Sequence, residues 1–118
     1  MEQAQHPDFV LAVKFYQTEG GAEPVRLWLR SLPQDQRKAV GEDIKTVQFG
    51  WPIGMPVVRK LEPSLWEVRT RFRDGIARVL FTVREDQMVL LHGFIKKSQQ
   101  TPLNELQTAR HRHRKNNI

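Results

Sequence analysis

The chain of 118 residues contains no cysteine. Disulfides and thiolate chemistry are therefore excluded, and the expected compartment is the cytoplasm. No apolar run is long enough to span a bilayer, so no membrane role is expected. The opening MEQAQHPDF lacks a basic stretch followed by an apolar one, so it does not read as a signal peptide. Also missing are HExxH, any Cys/His metal spacing, a glycine-rich phosphate loop and a Ser/His/Asp order. His111 and His113 stand at i, i+2, which would place them on different helix faces; no metal site is predicted there. Repeats and low-complexity segments are absent too.

What is present is positive charge, unevenly spread. The formal net charge is +6. Residues 1–58 carry 6 Lys/Arg against 7 Asp/Glu, whereas residues 59–118 carry 13 against 6. Nine of those 13 are arginine, the side chain whose planar fork matches phosphate. A basic half of this kind points to a polyanionic partner such as nucleic acid.

The length predicts a single domain over 1–118, with 1–8 frayed and 111–118 a basic tail. Phe9–Tyr16 alternates as a strand, with Phe9, Leu11, Val13 and Phe15 on one side and Lys14 and Tyr16 on the other. Gly20-Gly21 marks a turn. Pro24 opens a helix whose Val25, Trp28, Leu29 and Leu32 make one stripe. Ser31-Leu32-Pro33 breaks it. A second helix runs from about Pro33 to Phe49, with Val40, Ile44 and Val47 inward, and the two form a hairpin. Trp51–Lys60, with two prolines and a glycine, reads as a connecting loop. Three strands follow: Trp66–Phe72, Ile76–Val83 and Met88–Ile95. Asp74-Gly75 signals the first turn, Glu85–Gln87 the second. Met88–Ile95 is nearly continuous apolar, as in a strand covered on both faces. Thr101-Pro102 starts a short final helix, with Thr101 as cap, Glu105 in the first turn, and Leu103 and Leu106 inward. The predicted fold class is α+β: an N-terminal strand plus a three-stranded antiparallel meander, with the helices on one sheet face.

The candidate functional residues lie between Leu65 and Lys97. Glu67, Arg69, Arg71 and Arg73 fall at successive even spacings and share one face if the strand reaches Arg73. Mixed Glu and Lys would suit an ordinary solvated face; three arginines in five positions favour phosphate binding. Arg78 interrupts an apolar strand. It can pair with Glu67 across the hairpin, open onto a concave site and await a phosphate, or do both, with Glu67 keeping it oriented. His92, Lys96 and Lys97 close the third strand and gain weight by converging with these arginines. A metal-free nuclease needs a base for a 2′-hydroxyl proton, an acid for the leaving 5′-oxygen, and cations around the phosphate. Arginine stays protonated and cannot be the base. Glu67, His92, Lys96 and Lys97 are the proton-transfer candidates.

These residues carry a resemblance. Trp66-Glu67-Val68-Arg69, Arg78-Val79-Leu80-Phe81, His92-Gly93-Phe94-Ile95-Lys96-Lys97, Thr101-Pro102 and Glu105 together resemble the HigB-type, phage Gp49-like branch of the RelE/ParE toxin superfamily. The likeness spans roughly residues 9–110. Val68 replaces a frequent Leu, and Phe81 stands where an aromatic with a hydroxyl is common. The resemblance implies a RelE-like fold, a curved antiparallel sheet packed by the helical hairpin. It implies the toxin of a type II toxin–antitoxin system, acting as a metal-independent, ribosome-dependent mRNA endoribonuclease. A helix-turn-helix, HigA-like antitoxin would bind it in a hetero-oligomer, and neither metal nor organic cofactor would be needed. Arg78, Lys96, Lys97, His92 and Glu67 become the catalytic candidates, and Arg69, Arg71 and Arg73 the RNA phosphate contacts. Two other readings remain: a ParE-like gyrase-inhibiting toxin, and a non-catalytic nucleic-acid-binding phage-derived protein.

Overall fold

A computed structural model describes residues 11–116. The predicted fraying of 1–8, the start of the first strand at Phe9 and the last two residues of the tail lie outside that range. Within it the order is β1 (Ala12–Phe15), α1 (Pro24–Ser31), α2 (Gln34–Gly50), β2 (Val58–Glu62), β3 (Leu65–Phe72), β4 (Gly75–Arg84), β5 (Gln87–Lys96) and α3 (Leu103–Asn116). The five strands form one sheet, ordered β1-β5-β4-β3-β2. The chain is thus mixed α+β.

The sheet has one strand more than predicted. β2 pairs antiparallel with β3, with Val58 opposite Val68 and Lys60 opposite Trp66. Its VRKLE sequence carries three charges and lies among prolines, so it reads as loop. It is an edge strand, where charge discourages further pairing. Ser64, at φ 65°, closes the tight turn to β3. The sheet is also not wholly antiparallel: β1 runs parallel to β5, Ala12 opposite Gln87 through Phe15 opposite Leu90.

Helices cover both faces, not one. On the first face Val25, Val40, Ile44 and Val47 pack on Leu11, Val58, Val68, Ala77, Val79, Phe81, Met88 and Leu90. Pro24 begins α1 as expected, and the Leu32 N–H closes it on the Leu29 carbonyl before Pro33. Thr70 donates to Asp43 of α2 at 2.7 Å, satisfying the one hydroxyl that β3 turns to this side. Trp51, Trp66 and Phe81 cluster here, with ring centroids 5.0–5.9 Å apart.

On the second face Leu106 and Ala109 of α3 pack on Tyr16, Leu65, Leu80, Val89, Leu91 and Phe94. Leu103 is 60% exposed and does not join them, contrary to expectation. Nor is α3 short: it continues through Arg110–Lys115, so the described part of the basic tail is helix. The reason is that two of its arginines have docking partners. Arg110 holds Glu62 through three contacts of 2.7–3.2 Å, and Arg112 donates to the Leu91 carbonyl at 2.9 Å.

A register shift in β5 decides which side chains meet α3. Leu80 faces His92 but Phe81 faces Leu90, so Leu91 is an extra residue, a β-bulge. Before it, Met88 and Leu90 point to the helical hairpin. After it, Gly93 and Ile95 do, and His92 and Phe94 turn toward α3. Gly93 is required by close approach: a Cβ there would lie 2.4 Å from Trp28 Cε3 of α1. At the β3–β4 hairpin the loop residues are Arg73 and Asp74, with Gly75 already paired to Phe72. A Cβ at that glycine would sit 3.0 Å from Ile95 Cγ2, tighter than an ordinary contact.

Candidate nucleic-acid interface

Alternation and register arrange the α3-facing side chains of β3, β4 and β5 in three rows. Arg71, Ile76 and Lys96 make the outermost row, Arg69, Arg78 and Phe94 the middle one, and Glu67, Leu80 and His92 the innermost. Six of the eight residues singled out from the sequence thus fall in one block of nine positions. The other two, Arg73 and Lys97, flank its open end.

The innermost row is closed. Glu67 has no solvent exposure. It accepts from Arg69 at 2.5 Å and from the Thr101 hydroxyl at 2.7 Å. Thr101 therefore spends its hydroxyl on Glu67 and does not cap α3. His92 lies between two α3 side chains, with Nε2 2.7 Å from Glu105 and Nδ1 3.3 Å from Arg112. An Arg112 N–H can only donate, so Nδ1 accepts and Nε2–H donates to Glu105: the imidazole is neutral. Burial pushes the His92 pKa down, Arg112 pushes the same way, and Glu105 opposes. His92 clamps the helix to the sheet.

The middle row is buried beneath the segment that links β5 to α3. Arg78, fully buried, donates to the Gln100 carbonyl at 3.0 Å and to the Ser98 carbonyl. It lies over the Phe94 ring, 5.7 Å from its centroid. Arg69 donates to the Gln99 carbonyl at 3.4 Å and to its side-chain oxygen at 3.2 Å. Arg59 of β2 reaches the same carbonyl at 3.1 Å. Of the two readings of Arg78, hydrogen bonding to Glu67 is not what the structure has; Arg69 takes that carboxylate. Burial lowers the Arg78 pKa, with Arg69, Arg59 and Arg71 adding to the shift and Glu67 opposing it. The Nε–H groups of Arg69 and Arg78 are buried with no acceptor.

The cations of the outermost row are open to solvent, while Ile76 between them is buried. Arg71, Arg73, Lys96 and Lys97 are exposed. Arg71, Arg73 and Lys97 border a recess of about 270 Å³ with Phe72, Gly75, Ile76 and Gln99. The expected row of three arginines is therefore divided. Arg69 is buried and engaged, Arg71 projects from the strand, and Arg73 is in the turn because β3 stops at Phe72. A larger recess of about 520 Å³ lies at the far end of α3, lined by Lys14, Tyr16, Glu19, His111 and Lys115 among others. It mixes charge signs and holds none of the cations of β3, β4 or β5. Among the described residues, no three His, Asp or Glu side chains are grouped to hold a metal. None of the described helices is long and apolar enough to cross a membrane.

Sequence reasoning missed Arg59 and Gln99, which read as loop, and Arg112, which read as tail. Only the strand character of 58–62 could have pointed to Arg59. Nothing local marks the other two.

An open cationic row backed by buried arginines suits a phosphate chain. The phage-derived Gp49-like protein family (DUF891) matches residues 27–114, three-quarters of the chain. The chain belongs to this family. Gp49-like proteins are a RelE/HigB-like toxin family associated with toxin–antitoxin systems, which suggests an antitoxin as partner. The Gp49-like match runs from Leu27 in α1 to Arg114 in α3, so it includes both faces of the sheet and all three rows. No curated protein matches the chain.

Proposed function

We propose that this chain is the toxin of a type II toxin–antitoxin pair, HigB-type with a RelE-like fold. In this reading it cleaves mRNA on the ribosome, in the cytoplasm, without a metal. The observation that carries it is the open row: Arg71, Arg73, Lys96 and Lys97 gathered at one end of the sheet. Arg71 and Arg73 hold backbone phosphates. Lys96 and Lys97 flank the scissile one. The 2′-oxygen attacks phosphorus as one lysine amine takes its proton. The other, as an ammonium, gives a proton to the departing 5′-oxygen. The products are a 2′,3′-cyclic phosphate and a 5′-hydroxyl. The cations also stabilise charge that builds on the phosphoryl oxygens.

Glu67 and His92, both catalytic candidates from the sequence, become positioning residues here. Glu67 is sealed behind Arg69, and His92 is held at the α3 contact. Arg78 supports the segment that carries on from the lysines. The ribosome supplies alignment of the RNA, which fits a site with few groups of its own. A helix-turn-helix, HigA-like antitoxin neutralises the toxin in a hetero-oligomer.

Pulse labelling after induction tests this. Amino-acid incorporation is expected to stop first, with thymidine incorporation following. Replication stopping first would support the gyrase-inhibiting alternative instead. Unimpeded growth would favour a non-catalytic nucleic-acid-binding protein.

A further inference from the structure

The middle row has an imbalance that its present partners leave unresolved. Three guanidinium groups, from β2, β3 and β4, converge on the Ser98–Gln100 segment. Among the described residues the only anion within their hydrogen bonds is Glu67, which accepts from Arg69 but from neither Arg59 nor Arg78. Every other acceptor is a neutral oxygen: the Ser98, Gln99 and Gln100 carbonyls and the Gln99 amide. A guanidinium as buried as Arg78 is ordinarily matched by an anion. Two Nε–H donors, on Arg69 and Arg78, have no acceptor at all. The missing partner is a multidentate anion, and a phosphate diester matches the arginine fork.

We propose that Arg59, Arg69 and Arg78 form a latent site for an RNA backbone phosphate, occupied in the free chain by its own Ser98–Gln100 main chain. This rests on the reading of the protein as an RNA-cleaving toxin and adds a gate to it. The segment is suited to leave. Its three residues are exposed, it lies between β5 and α3, and none of its side chains enters either core cluster. Its one internal side-chain bond joins Ser98 Oγ to the Gln100 carbonyl. Beyond it, Thr101 is anchored on Glu67, so the strap can lift while α3 stays docked. Lys96 and Lys97 directly precede it. Lifting the strap to admit a phosphate would therefore also shift the two lysines, coupling capture of the backbone to their placement.

Gln99→Ala tests this, because it removes the Arg69–Gln99 side-chain bond of the closed strap and touches no core. The probes are a 2′-O-methyl RNA oligonucleotide, which cannot be cut, and inorganic phosphate as competitor. The variant is expected to bind the oligonucleotide severalfold more tightly than the parent, with phosphate competing. Bound RNA should shift the Arg69 and Arg78 Nε–H resonances and lower the backbone ¹⁵N order parameters of Ser98–Gln100. Unchanged or weaker binding by Gln99→Ala, with an unmoved strap in the complex, would overturn the latent site. If the parent nonetheless cuts RNA, the endoribonuclease reading survives that failure. Strap release and tighter binding in a protein that cuts no RNA would do the reverse.

Discussion

Two side chains, one buried and one half-buried, show how environment decides a role. Glu67 and His92 are both proton-transfer candidates from the sequence, Glu67 on the arginine face of an alternating strand and His92 within a nearly continuous apolar one. Among the described residues Glu67 is the sole carboxylate hydrogen-bonded within the arginine cluster. Glu67→Gln leaves Arg69 without its countercharge and is expected to cost about 3–5 kcal/mol, read from urea unfolding midpoints. A cost under about 1 kcal/mol would mean the pair is dispensable. His92 has a folded pKa below its unfolded value. The unfolded chain therefore binds the proton more readily. The stabilisation is present above the unfolded value of about 6.5 and is lost as pH falls through the folded one. Protonation at Nδ1 would also put a second cation against Arg112. Unfolding midpoints from pH 8 to 5 should decline on the acid side, and His92→Asn should flatten that part of the slope. A variant with an unaltered slope would remove His92 as the cause.

Among the elements, what the sequence made legible tracks what local pattern encodes. Both helices of the hairpin stand close to where Pro24, Pro33 and the apolar stripes put them. The alternation of β3 correctly separated Trp66, Val68, Thr70 and Phe72 from Glu67, Arg69 and Arg71. Alternation says which residues share a face, however, and not whether that face meets water. The spacing favours a phosphate-binding row on the arginine face of β3; α3 and the strap bury its inner half. β2 was hidden because an edge strand needs no apolar alternation. The β5 bulge was hidden because a nearly continuous apolar strand has no phase to interrupt. Gly93 is the exception, a feature visible as a letter whose reason appears only in packing. Gly93→Ala pushes a methyl into Trp28 and is expected to cost about 1–3 kcal/mol by thermal unfolding. Pairing it with Trp28→Leu should recover part of the loss, and no recovery would mean the strain lies elsewhere. The docking of α3 has a similar check. Arg112→Ala removes a contact to the Leu91 carbonyl and one to His92. It is expected to destabilise by about 1–3 kcal/mol, with the loss of helical signal confined to α3.

For the whole molecule, the charge asymmetry of the sequence becomes a spatial one. Part of the basic half is consumed by structure: Arg69 and Arg78 on the strap, Arg110 on Glu62, Arg112 on Leu91. Arg71, Arg73, Lys96 and Lys97 remain exposed at one end of the sheet. RNA affinity should therefore fall with salt, and Arg71→Ala with Arg73→Ala should lessen the slope of log affinity against log salt. For single-stranded RNA the change is about 0.7 per phosphate contact removed. An unchanged slope would place the RNA elsewhere, with the recess at the far end of α3 the next candidate.

The most direct measurement maps mRNA ends by primer extension after induction, with translating ribosomes and with initiation blocked. It compares the parent with Lys96→Ala/Lys97→Ala, whose folding is checked by an unchanged unfolding midpoint. The expected result is new 5′-hydroxyl ends within translated messages. They should vanish when initiation is blocked and fall about 100-fold or more in the double variant. Equal cleavage by the folded double variant, or no new ends while translation stops, would contradict the assignment of this face as an RNA-cleaving site.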